Sequence, residues 1–272
     1  MNSKKNYRQK DGQFVKILNN IRERSNLQNS IAKLNRNCFR ENKRLSAESP
    51  KNNLINLAFT NIVADGINNS KLGRIPKDQY TFHSIEKGQF DWKSVIAEKV
   101  LNLKVGARIM FVKNDNLDGK FVNGTLGTIM EIDDKKIVVA TDDDQVFELE
   151  KMKWVTQKYQ RDYKNGRWES GYKDVGSMLQ YPIKLAWAIT VHKSQGLTFD
   201  NVNLANSSSS FAYGQTYVAL SRCRTMAGLS FDRPLRISDI KVDMRISDFY
   251  QNIHDNRVEG VIEEILTAME AS

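Results

Sequence analysis

Two short runs in the second half of the chain carry more polar groups than their surroundings allow. The first is Thr190-Val191-His192-Lys193-Ser194-Gln195-Gly196, which closes an apolar stretch. The second is Ala219-Leu220-Ser221-Arg222-Cys223-Arg224, which sits within one. A segment that packs on a core needs apolar side chains, so polar groups placed there usually answer to a ligand. Taken singly, His192 reads as a satisfied structural histidine, and Arg222 and Arg224 read equally well as surface charges. The whole run from Thr190 to Gly196 reads as a ligand-facing corner. Arginine brings fixed, planar, permanently charged donors suited to phosphoryl oxygens.

The elements around these runs are of alternating type. Phe14, Ile17, Leu18 and Ile21 recur at helical spacing, as do Leu27, Ile31, Leu34 and Cys38. Leu54 to Phe59 reads as a short buried strand that ends at Thr60-Asn61. A helix follows from Val63 to about Leu72, which completes a strand-corner-helix unit. From Val105 the pattern changes to short strands at 109–112, 128–132, 136–141 and 145–149. They are separated by Gly-rich and Asp-rich turns, as in a small antiparallel barrel. Residues 157–177 are polar and aromatic and read as a long hairpin or loop. The α/β pattern then returns. A strand ends at Lys184-Leu185, Ala186–Gln195 reads as a helix stopped by Gly196, and Val202–Leu204 as a strand. Gly214–Arg224 reads as a second helix and Leu229–Phe231 as a strand. The expected plan is an α/β domain built from 1–104 and 181–272, interrupted by a small β-barrel at 105–180.

Bulk properties narrow the class. The chain has 272 residues, 40% of them hydrophobic, enough for one large domain with an insert. No apolar run reaches the roughly 18 residues of a membrane span, and the polar, basic start has no signal-peptide core, so a cytoplasmic protein is expected. Two cysteines, Cys38 and Cys223, and three scattered histidines form neither a disulfide framework nor a zinc site. The net charge of +9 is concentrated at the start. Residues 1–50 hold twelve Lys/Arg against four Asp/Glu. That asymmetry fits a polyanion partner or a solvated helix face.

The two runs carry a resemblance. YPIKLAWAITVHKSQGLTFDNV resembles the fifth motif of superfamily-one DNA helicases of the PIF and RecD-like type, and GQTYVALSRCRTMAGL resembles their sixth. VGARIMFVKND with FVNGTLGTI is similar to the opening of the barrel that those helicases insert into their second motor domain. LAFTNIVADGIN resembles the strand-to-helix corner before it, and NYRQKDGQFVKILNNIR the arginine-bearing fourth motif. The resemblance runs from about residue 6 to about 250. It implies a RecA-like motor domain of the P-loop NTPase type, interrupted by an SH3-like barrel, in a 5′ to 3′ helicase. It implies that Arg8 and Arg222 touch the nucleotide's γ-phosphate from outside the domain that binds it. Gln195 and Gly196 would lie near that nucleotide. Thr190, His192 and Lys193 would meet the backbone of single-stranded DNA. Thr60 and Asn61 would do the same at a helix N-terminus.

The sequence also departs from the family. A phosphate-binding loop needs G-x-x-x-x-G-K-[ST]. Gly119-Lys120-Phe121 lacks the hydroxyl, Lys193-Ser194 follows His192 rather than glycine, and no Asp is followed by Glu. The lysine, the magnesium ligands and the water-activating carboxylate are therefore expected on an N-terminal RecA-like domain outside these residues, as in a split gene or a truncation. ATP and Mg2+ would be held mainly there. Three readings stay open: a second motor half inactive alone, a stand-alone nucleic-acid-binding module, and an inactive remnant. Retention of both arginines favours the first. Trp154, Tyr159, Tyr163, Trp168 and Tyr172 read either as packing of the hairpin or as stacking surfaces for bases.

Overall fold

A computed structural model describes residues 11–39, 54–134, 136–164, 167–205 and 212–243. The chain divides into two compact units, one of residues 1–59 with 190–272 and one of residues 60–189. The first opens with helices α1 (Gly12–Arg22) and α2 (Leu27–Cys38) and strand β1 (Leu54–Ala58). The second holds α3 (Asn61–Gly73), β2 (Tyr80–His83), β3 (Ile85–Gly88), β4 (Val100–Leu103) and β5 (Arg108–Phe111). It continues through β6 (Leu126–Ile132), β7 (Ile137–Thr141), β8 (Val146–Glu148), β9 (Met152–Lys164), β10 (Arg167–Gln180) and β11 (Ile183–Leu185). β12 (Ala188–Thr190) leads back to the first unit, which ends with β13 (Asn201–Ala205), α4 (Gln215–Leu220) and β14 (Leu229–Phe231).

In the first unit, β1, β13 and β14 form parallel pairs, with Ile55 beside Val202 and Leu57 beside Leu204. Parallel strands bury both faces, and Ile55, Leu57, Val202, Leu204, Leu229 and Phe231 are all fully buried. α1 begins where Asp11 accepts from the backbone N–H of Gln13 and Phe14, at 2.9 and 3.1 Å. It buries Phe14, Ile17, Leu18 and Ile21, the stripe expected from their spacing. α2 buries Ile31, Leu34 and Cys38. Its Asn35 side chain both donates to and accepts from the Leu235 backbone, at 3.0 and 2.8 Å. Both cysteines are buried and unbridged.

The second unit contains a five-stranded antiparallel sheet in the order β11-β5-β6-β7-β8. Four of its strands, β5 to β8, fall on the short runs expected in the insert, whereas β11, expected as a strand of the α/β domain, pairs with β5, and the compact unit around them is wider than 105–180. The rings of Phe111, Phe121 and Phe147 stack in its core, with Phe111 and Phe121 centroids 4.0 Å apart. Arg108 and Asp142 form a bidentate pair at 2.5 Å, so one of the three acids of that turn is held by an arginine. Gly127 lets β6 lie against β7, because a Cβ there would collide with the Ala140 carbonyl. β9 and β10 pair antiparallel as one long hairpin, and β3 pairs on its base. The alternatives at 157–177 thus resolve as a hairpin.

Two expected helices are corrected. Ala186–Gln195 is not helical: it is the strand β12 followed by tight turns. The run is short and apolar, and such runs fit strand or helix equally until tertiary pairing decides. Here the Val191 N–H donates to the Ala58 carbonyl at 2.9 Å. The second helix, expected to Arg224, ends at Leu220. Beyond it the chain pairs with Phe199, whose N–H donates to the Arg222 carbonyl while its own carbonyl accepts from Arg224. Among the described residues no helix is long and apolar enough to cross a membrane.

Candidate functional site

The first polar run forms a compact corner. Upstream, the Asn68 side chain on α3 donates to the Ala188 carbonyl and accepts from its N–H, both at 2.9 Å, which fixes the strand leading into Thr190. Thr190 is buried, and its hydroxyl accepts from the Lys193 N–H at 3.4 Å. Ser194 N–H donates to Thr190 O, Gln195 N–H to His192 O and Leu197 N–H to Ser194 O, so each turn of the corner is closed by its own backbone. Ser194 is fully buried, and its hydroxyl donates to Val191 O at 2.7 Å. His192, Lys193, Gln195 and Gly196 are exposed. The corner therefore hides its hydroxyls and presents its imidazole, ammonium and amide. Gly196 has φ +87°, a conformation that side chains resist, and among the described residues nothing beyond its chain neighbours lies within 4 Å of where a Cβ would stand.

Arg222 closes on this corner. Its Nη1 donates to Leu197 O at 3.2 Å and Ser194 O at 3.5 Å. Its Nε donates to Val218 O at 3.1 Å and its Nη2 to the Ser221 hydroxyl at 3.0 Å. The residue is 8% exposed. A buried guanidinium needs acceptors for its N–H groups, and three backbone carbonyls and a hydroxyl supply them. Arg222, Gln195 and Gly196 are thus brought together. Arg224 is not: it pairs with Asp200 at 2.6 Å on the surface.

A brace holds the short helix before Arg222. The Thr216 hydroxyl donates to Asp239 O at 2.6 Å. The Asp239 carboxylate takes two bonds from Arg233 and one from the Arg236 N–H, each at 2.8 Å. Burial pushes the Asp239 carboxyl up, but those bonds and the charges of Arg233 and Arg236 hold it below the usual carboxylate range.

Thr60 caps α3, its hydroxyl accepting from the Val63 N–H at 3.3 Å, and Asn61 is exposed as the first helical residue. Arg8 lies outside the described residues. The aromatic group of the hairpin is split by the structure. Trp154 packs against Met178, Val112 and Ala97, with Lys113 over its ring at 4.8 Å, whereas Tyr159, Trp168 and Tyr172 are exposed. The side chain of Tyr163 lies outside the description. Sequence reading missed the carbonyls of Ser194, Leu197 and Val218 that hold Arg222, because backbone acceptors carry no residue signature.

Comparison with known proteins places this geometry. Residues 93–132 match the family described as "DNA helicase Pif1, 2B domain". Residues 185–230, which take in both polar runs, match "UvrD-like helicase C-terminal domain". The chain belongs to the Pif1 helicase family. It is 32% identical over 196 residues to the ATP-dependent DNA helicase Pif1 of Bdellovibrio bacteriovorus, covering 70% of this chain and 41% of that one. Pif1 from Bacteroides in complex with ADP-AlF4 superposes with a TM-score of 0.76 at 33% identity, over 93% of this chain and 56% of that one. The same Pif1 bound to ssDNA gives a TM-score of 0.70 at 33% identity, with the same shares covered. The chain thus spans about half the length of the solved Pif1 structures, and less of the curated relative. Its mixed α/β sheets are those of a Pif1-type helicase domain.

Proposed function

We propose that this chain is the second motor domain of an ATP-dependent DNA helicase, inactive in ATP hydrolysis by itself and completed by a phosphate-loop domain in cis or on a separate chain. The observation that carries the reading is the guanidinium of Arg222 held against the Ser194–Leu197 corner. The fit to a nucleotide's phosphates rests on two features. Gly196 leaves its backbone open to close approach, and Arg222 is a permanent cation beside it, whose planar donors suit phosphoryl oxygens, acceptors that carry a charge where a carbonyl does not. In this reading Arg222, with Arg8, stabilises charge on the γ-phosphate, and Gln195 and Gly196 border the nucleotide. ATP and Mg2+ are held mainly by the other domain, which supplies the phosphate loop. His192, Lys193, Thr60 and Asn61 grip single-stranded DNA through its backbone without reading sequence, and Thr190, expected to join them, is buried and holds the turn that presents Lys193. The five-stranded sheet is the SH3-like barrel of this motor.

The test joins the chain to a phosphate-loop domain from a Pif1 relative and measures DNA-stimulated ATP hydrolysis. The chain alone is expected to be inactive and the joined protein active. Arg222→Ala should lower turnover by roughly 10³–10⁵ in protein shown to be folded at the assay temperature, beyond what its lost stability accounts for. Turnover unchanged by that substitution removes the arginine assignment.

A further inference from the structure

The hairpin β9–β10 lies between the two spans that match known families, 93–132 and 185–230. Nothing described so far uses it. Side chains alternate across a strand, so cross-strand partners share a face. Tyr159 stands opposite Tyr172 and Arg161 opposite Ser170, with Trp168 two positions beyond Ser170. One face therefore carries Tyr159, Tyr172, Arg161 and Trp168. The Tyr159 and Tyr172 rings meet edge to face at 5.5 Å, and the Arg161 guanidinium lies 5.1 Å from the centre of the Trp168 ring. Lys158 and Lys173 stand opposite one another on the other face, both exposed.

This face does not behave as packing. Tyr159, Trp168 and Tyr172 are 62%, 60% and 71% exposed. Large aromatic rings normally bury much of their area, and a two-stranded ribbon has little stability to spare for rings left in water. We propose that this face is a stacking platform for unpaired bases of single-stranded DNA. The tyrosine pair and the Trp168–Arg161 pair are two stations about 13 Å apart along β10, so they engage different nucleotides of one strand. Ring faces and guanidinium planes take any base. Arg161 supplies charge on this face for a phosphate backbone, Lys158 and Lys173 behind it add to the positive field of the ribbon, and Asp174 on the aromatic face is engaged by the Gln157 amide at 2.9 Å. A purely apolar protein partner would have no use for these cations. The choice of DNA as the polymer rests on the motor reading above.

The experiment titrates the full 272-residue chain with a labelled oligo-dT and with an abasic oligomer of equal length. Stacking requires bases, so the abasic strand should bind about ten-fold more weakly. That comparison needs no substitution. Trp168→Ala, and Tyr159→Ala with Tyr172→Ala, should each weaken oligo-dT binding by about ten-fold and leave abasic binding unchanged. Trp168→Phe should keep the affinity but lose the quenching of tryptophan emission on binding. Equal affinity for the two oligomers, or oligo-dT binding untouched by the ribbon substitutions, overturns the platform and leaves the motor reading standing. A chain that binds neither strand overturns both. Base-dependent binding that is indifferent to His192→Ala and Lys193→Ala upholds the platform and removes the DNA contacts assigned to that corner.

Discussion

Arg222 and Gly196 meet through the backbone: one guanidinium nitrogen of Arg222 donates to Ser194 O and Leu197 O, the carbonyls that flank Gln195-Gly196. Two segments more than twenty residues apart thus act as one piece, and a displacement of the exposed glycine corner is transmitted directly to the arginine. Lysine cannot reproduce this. Its ammonium lacks the planar fork that reaches Val218 O, Leu197 O and the Ser221 hydroxyl at once. Arg222→Lys should destabilise the chain by about 1–3 kcal/mol, because buried carbonyls lose their donors. Urea unfolding of the isolated chain, compared at equal m-value, measures this without any catalytic assay. A stability within error of the parent would show that the guanidinium bonds are incidental.

The glycines separate backbone strain from crowding. At Gly228 a Cβ would collide with the Asp200 carbonyl and approach Cys223 Sγ at 3.2 Å. Cys223 belongs to the segment that carries Arg222 and Arg224, and Asp200 is paired with Arg224, so neither can yield without disturbing that segment. Gly228→Ala should cost about 1–3 kcal/mol or more, as overpacking does. Gly171→Ala is the control, since among the described residues nothing beyond its chain neighbours lies within 4 Å of its Cβ position and its backbone is extended. Thermal melts should show a lowered midpoint for the first and none for the second.

Those two predictions rest on features that differ in how visible they were in the sequence. α1 and α2 were legible because Phe14, Ile17, Leu18 and Ile21, and Leu27, Ile31, Leu34 and Cys38, repeat with the helical period and are buried as that period requires, Leu27 apart. β1, β13 and β14 were legible as short apolar runs between polar turns. The corner after β12 was not. Ala188, Ile189 and Val191 fit either period, and what decided the matter was a bond from Val191 to Ala58, 133 positions back in the chain. The end of α4 was hidden for the same reason: Phe199 captures the backbone of Arg222 and Arg224. Sequence reading picked out Arg222 and Gly196 by residue type. It could not show that they touch, because the link runs through carbonyls common to every residue.

The brace at Asp239 gives the fold a pH dependence of known sign. Its carboxyl titrates below the usual carboxylate range when folded, since Arg233 and Arg236 outweigh the effect of burial. The ionised form is thus favoured in the folded chain. Its contribution to stability is complete above about pH 4, the unfolded value, and is lost as pH falls through the lower folded value. Asp239→Asn should lower the melting midpoint by a constant amount from about pH 7 to about pH 5, and the gap between parent and variant should close below about pH 4. A gap independent of pH would mean that the brace acts through shape alone.

Lys193 is exposed at the corner whose neighbour Thr190 is buried and already accepts from the Lys193 backbone. The hydroxyl of Thr190 therefore shapes the turn, and Lys193 is the cation that the proposed function brings to a phosphate at this corner. Each phosphate neutralised on a single strand contributes about 0.7 to the slope of log affinity against log salt. Lys193→Ala should reduce that slope by about 0.7 and weaken binding equally for oligomers of different sequence, since a backbone contact reads no base. Thr190→Val, which breaks the turn's side-chain acceptor without removing a charge, should leave the slope unchanged while lowering stability. If the Lys193→Ala slope matches the parent's, the corner does not contact the strand by charge, and the single-strand grip must be sought on other exposed cations of the chain.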